Sequence, residues 1–157
     1  MYYQKEKIVG FAGHRYSWQN IGIESVLEKT IIELIEKGYT TFYLGGKGYF
    51  DELSEKILIR LKERNPNLKL YKILEEYHTK LDLPSCYDGS IYPELETCHF
   101  KAKITKRNEW IVDNIDLLVC YVHQTSKSGA YNSVKYARKI GKPIIYLESQ
   151  EKNSQED

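Results

Sequence analysis

Three short segments of this chain hold residues able to grip an anion. Gly13-His14-Arg15 joins a small residue, which lets the backbone come close to a ligand, to a guanidinium whose planar fork of donors suits phosphate or carboxylate. His14 either donates to that anion or caps a turn. Gly45-Gly46-Lys47-Gly48 stands just ahead of a helical segment, where successive backbone N–H groups can converge on negative charge. It is neither a Walker A sequence nor G-x-G-x-x-G, because the required spacing is missing. Ser126-Lys127-Ser128-Gly129-Ala130 repeats the arrangement, with small residues ahead of a helix. Each segment also has a plain structural reading: a solvated loop arginine, a tight turn, and a helix cap by Ser128. Two glycine-bearing turns that lead from strand to helix in one small sheet favour a phosphate-bearing ligand more than either turn alone.

The elements that must position these residues follow from periodicity. Lys7-Ile8-Val9-Gly10-Phe11-Ala12-Gly13 is a short apolar run that ends in small residues, so it reads as a buried strand. Ile23, Leu27, Ile31, Leu34 and Ile35 recur at helical spacing, and Gly38 stands where a C-cap belongs. Residues 40–44 are β-branched, aromatic or apolar and form a second strand. A helix over 49–64 carries Leu53, Ile57, Leu58 and Leu61 on one face, and Pro66 follows its end. Strands are expected at 68–74, 116–122 and 143–147, and helices at about 105–113 and 128–140. Residues 75–103 lack periodicity and read as a long loop, a length that usually marks a lid or binding loop. Residues 148–157 read as a polar, frayed tail. The strand–helix alternation predicts an α/β fold: a Rossmann-like parallel sheet of about five strands with helices on both faces, in a single domain over 1–157. In such a sheet ligands bind outside the carboxyl ends of the strands, where all three segments fall.

Composition narrows the class. The chain has 157 residues, 41% hydrophobic and 29% charged, as expected of one folded domain and not of a disordered chain. Its formal net charge of +1 argues against bulk attraction to nucleic acid or an anionic membrane. No apolar run reaches the roughly 18 residues of a membrane span, and the N-terminus lacks the apolar stretch of a signal peptide. Cys86, Cys98 and Cys120 form no close pair, which points to the cytoplasm over a disulfide framework. His78, Cys86, Cys98 and His99 match no zinc spacing, so no metal and no cofactor is expected. Tyrosine is over-used, 14 copies against 4 Phe and 2 Trp, either as filler or at the rim of a polar ligand.

Taken in order, several motifs resemble the SLOG superfamily, the Rossmann-like group of the Smf/DprA proteins and the LOG phosphoribohydrolases, and within it the YpsA-like branch. The motifs are Gly10-Phe11-Ala12-Gly13-His14-Arg15, Leu44-Gly45-Gly46 with Phe50-Asp51, Arg107-Asn108-Glu109-Trp110, Ser128-Gly129-Ala130, and Gly141-Lys142-Pro143. The resemblance spans roughly residues 7–147. It implies a nucleotide-derived ligand held by the glycine turns, with Arg107 and Asn108 beside it. It also has a departure. LOG hydrolases resemble P-G-G-x-G-T-x-x-E at the third segment, whereas Ser128-Gly129-Ala130-Tyr131-Asn132-Ser133 has no acidic residue.

The expected function is therefore binding or sensing of a nucleotide or nucleotide-derived small molecule, such as an ADP-ribose derivative. The ligand-binding set is Gly13, His14, Arg15, Gly45, Gly46, Lys47, Gly48, Asp51, Arg107, Asn108, Ser128, Gly129 and Ala130. A phosphoribohydrolase or related N-glycosidase is the alternative, its base coming from Asp51, Glu52, Glu94 or Glu96. Asp51 and Glu52 equally suit the helix dipole as first-turn charges. Single-stranded DNA binding is a further alternative that the balanced charge disfavours. Homo-oligomerisation is left open.

Overall fold

Strand β1, Lys7–Gly13, lies at the centre of the sheet, so its two faces must both be apolar. Val9 and Phe11 point to one side and Ala12 to the other, each into its own core. The computed structural model describes residues 6–45, 48–77, 81–123 and 128–149. Around β1 run β2 (Tyr39–Leu44), β3 (Lys69–Ile73), β4 (Gly89–Ile91), β5 (Leu117–Tyr121) and β6 (Ile144–Tyr146), all parallel, in the order β4-β3-β2-β1-β5-β6. Helices α1 (Glu24–Glu36), α2 (Tyr49–Arg64), α3 (Lys103–Asn114) and α4 (Gly129–Lys139) connect them.

The first half of the chain steps away from β1 in one direction and the second half in the other. Crossovers share one hand, so the helices of the two halves land on opposite faces. Accordingly Leu27, Ile31, Phe50, Leu53 and Ile57 of α1 and α2 pack on Val9, Phe11, Phe42 and Val119. Ile111, Val112, Val134 and Ala137 of α3 and α4 pack on Ala12, Leu118 and Cys120. The reversal of strand order falls between β1 and β5, which stay paired through Gly13 and Tyr121, so the loops that follow them leave toward opposite faces.

The sheet has six strands where the sequence suggested about five, and the extra one lies in the expected loop at 75–103. Three residues show no periodicity, and β4 forms because β3 offers an unpaired edge. Asp88 anchors it: its N–H donates to the Leu70 carbonyl at 2.8 Å, and its carboxylate accepts the Leu70 N–H and the Lys62 ammonium. The same stretch ends in a 3-10 turn, Phe100–Ala102. At the other end of the chain, Ser149 Oγ donates to the Ile21 carbonyl at 2.8 Å, and the rest of the expected tail, 150–157, lies outside the described residues. Cys86, Cys98 and Cys120 are free thiols. Among the described residues no helix is long and apolar enough to cross a membrane.

Candidate functional site

A cleft of about 460 Å³ opens at the carboxyl ends of β1 and β2 and the start of α4, beside the change in strand order. Gly13, His14, Arg15, Gly45, Asp51, Arg107, Asn108, Ser128, Gly129 and Ala130 all line it. Gly48 does not, and Gly46 and Lys47 lie outside the described residues.

His14 forms the joint between the two halves. Its N–H donates to the Tyr121 carbonyl at 3.1 Å, and its own carbonyl accepts from Asn20 Nδ2 at 3.0 Å and the Phe50 N–H at 3.2 Å. Its ring is almost wholly buried, and Nε2 accepts the His123 N–H at 3.1 Å. Burial, and secondarily the neighbouring His123, hold its pKa below the ordinary histidine value. The neutral ring is therefore favoured, with its proton on Nδ1. Through these bonds His14 ties the end of β1 to the end of β5.

Arg15 is exposed, and its main chain is fixed by the Tyr49 N–H, which donates to its carbonyl at 2.7 Å. Arg15 lines the cleft and has no ion-pair partner among the described residues. Arg107 is the opposite case, at 3% exposed. It donates to the Gly45 carbonyl at 2.9 Å, to Glu75 at 2.8 Å and to Asn108 Oδ1 at 3.2 Å. Burial pulls its pKa down, while Glu75 and Asp51 push it back up. As an ordinary surface arginine it would have been solvated. Here it clamps the turn after β2 to α3, and the same helix stacks Trp110 on Tyr43, centroids 6.0 Å apart.

The two glycine turns differ. At the start of α2, Gly48 has φ +109°, a conformation that other residues rarely adopt. The first two amides of that helix, Tyr49 and Phe50, are already taken by the Arg15 and His14 carbonyls. Those two amides are therefore closed to an anion, and Gly46 and Lys47 of the Gly45–Gly48 turn lie outside the described residues. The space left by the missing side chain of Gly13 is likewise filled: a Cβ there would lie 2.1 Å from the Phe50 ring. At the start of α4, Ser128 Oγ caps the Tyr131 N–H at 3.1 Å. A Cβ added at Gly129 would meet nothing within 4 Å, and the Gly129 and Ala130 amides have no partner among the described residues.

Asp51 stands in the first turn of α2, where the dipole favours it, and also lines the cleft. Sequence reasoning missed Glu75, Asn20, Tyr16 and Ile104. Glu75 follows the end of β3, so the carboxyl-end rule was the signal that could have found it. A second, broader hollow of about 750 Å³ lies between the α1 N-terminus and α2, lined by Asn20, Glu28, Tyr49 and Arg60. It holds no strand ends, and Arg60 pairs with Glu28 there at 2.8 Å. No three His, Cys, Asp or Glu side chains gather to hold a metal ion among the described residues. His78 of the sequence-level metal candidates lies outside them.

No protein-family model matches the chain, and no curated protein matches it in sequence. Its backbone is similar to solved structures of the molybdenum cofactor carrier protein from Chlamydomonas reinhardtii. One has a TM-score of 0.55 at 15% identity and covers 96% of this chain and 82% of the other. A second has a TM-score of 0.53 at 17% identity, with 97% and 82% covered. A third has a TM-score of 0.53 at 18% identity, with 94% and 80% covered. The shared feature is the Rossmann-like fold.

Proposed function

We propose that the cleft binds a nucleotide or nucleotide-derived small molecule, such as an ADP-ribose derivative, with its anionic group between Arg15 and the start of α4. What carries this reading is convergence. Residues from three separate strand-to-helix segments line one cleft at the switch in strand order. Within it, Arg15 is an exposed cation, and Gly129 and Ala130 offer amides at a positive helix end. The motif resemblance to SLOG proteins of the YpsA-like branch supports the same ligand class. The free cysteines suit work in the cytoplasm.

A thermal-shift panel of nucleoside phosphates tests the reading. Stabilisation by at least one phosphate-bearing compound at millimolar concentration is the expected result. The fold neighbours add the molybdenum cofactor to that panel. Arg15→Ala removes a charge-assisted hydrogen bond and is expected to weaken affinity by about 10- to 150-fold. Its stability should stay within about 0.5 kcal/mol of the parent. Unchanged affinity would take Arg15 out of the site.

The position of Asp51 in the cleft favours a second reading, a phosphoribohydrolase. In that case free base is released from nucleoside monophosphates, and Asp51→Asn abolishes the release. No release at high protein concentration ends this reading and leaves the binding one standing.

A further inference from the structure

We propose that Tyr16, backed by Trp18, is a stacking face for the flat heterocyclic ring of the ligand, a subsite adjoining the anion position at Arg15. The proposal rests on the reading of the cleft as a nucleotide site and adds which residues receive the base. Tyr16 is 55% exposed and Trp18 69%. Single exposed aromatics are ordinary, but these two are organised. Their rings lie within 6° of parallel with centroids 6.3 Å apart. Tyr16 lines the cleft directly after Arg15, and Trp18 stacks against it from outside the cleft lining.

The fold holds this pair out in solvent. Both belong to the segment around the 3-10 turn Ser17–Asn20. The Tyr16 N–H donates to Gln19 Oε1 at 3.1 Å, and the Gln19 N–H returns to the Tyr16 carbonyl at 3.1 Å. Asn20, nearly fully buried, donates its Nδ2 hydrogens to the Tyr16 carbonyl at 2.8 Å and the His14 carbonyl at 3.0 Å. A buried amide therefore fastens the aromatic turn to the joint that also positions Arg15. Ile104 of α3, 43% exposed, adds apolar surface to the same cleft. An aromatic face beside a guanidinium suits a planar heterocycle carrying an anionic group. Stacking tolerates any base, so the face selects for the ring and not for its hydrogen-bonding edge.

Calorimetric titration with AMP and with ribose 5-phosphate, which lacks the base, tests the proposal. Tyr16→Ala keeps the turn, because the hydrogen bonds of Tyr16 named above are main-chain ones. It is expected to weaken AMP by about 5- to 150-fold while ribose 5-phosphate stays within about twofold. Tyr16→Phe should rescue AMP binding. AMP should also change the tryptophan fluorescence, and Trp18→Phe should remove that response, since the other tryptophan, Trp110, packs on Tyr43. Equal AMP and ribose 5-phosphate affinities, both unaffected by Tyr16→Ala, overturn the stacking face and leave the anion site intact. Binding of neither compound overturns the proposal, and the panel of nucleoside phosphates then decides the cleft reading by itself. A change in solution mass in Tyr16→Ala with AMP affinity unchanged makes the pair a protein interface and also overturns the proposal.

Discussion

The N-termini of α2 and α4 look alike in the sequence, since each follows a strand through a glycine-bearing turn, yet they do different work. At α2 the described features are closed from within. The Arg15 and His14 carbonyls take the first amides, Phe50 fills the space beside Gly13, and the Arg107 guanidinium lies over Gly45. At α4 the cap is local, the space beside Gly129 is empty, and the Gly129 and Ala130 amides have no partner among the described residues. A glycine ahead of a helix thus marks either close packing or open approach, and only its neighbours tell which. The braced junction fixes where Arg15 stands, and the open one leaves room for an anion.

Breaking the brace should have the largest effect. Removing one partner of a buried ion pair typically costs roughly 3–5 kcal/mol. Glu75 keeps some contact with water, its side chain being 20% exposed, against 4% for Arg107. Arg107→Ala is therefore expected at the lower end, about 3 kcal/mol, read from urea unfolding. Gly13→Ala should follow at about 2 kcal/mol, because an added methyl in a filled core forces Phe50 to shift.

A pH series probes the same joint. The pKa of His14 is lowered in the folded chain, so the unfolded chain takes up its proton first. Stability should be at its full level above about pH 6.5, the unfolded value, and fall as the pH drops from there toward the folded value. His14→Gln, which keeps an acceptor near Nε2, should flatten that part of the slope. A slope unchanged in this variant assigns it to another group.

The smallest effect is expected at the open junction. Gly129→Ala should leave stability within about 0.5 kcal/mol. It should still weaken AMP, because a methyl beside the exposed amides hinders an approaching phosphate. A loss of stability in Gly129→Ala as large as in Gly13→Ala would erase the distinction between the two junctions.

Much of the fold was legible because its signals are local. The apolar run 7–13 and the helical repeat over 49–64 coincide with β1 and α2. Gly38 and Gly141 take the positive φ expected just past a helix end. Strand β4 was not legible, since its cause is the free edge of β3 and not anything in its own three residues. The cleft was legible as a set of segments, through the rule that loops at the carboxyl ends of parallel strands meet. The role of each residue within it was not. Arg107 and Glu75 are 32 positions apart, Arg107 and Gly45 62, and His14 and His123 109.

The sequence by itself determined the period and approximate extent of the longer elements and the alternation of strand and helix, because those depend on residues a few positions apart. Only the tertiary structure decided that Gly13 makes room for Phe50, that Arg107 is a clamp while Arg15 is exposed, and that Tyr16 borders the cleft. Such roles depend on which side chains burial brings together from distant parts of the chain, and desolvation acts on that neighbourhood and not on residue type.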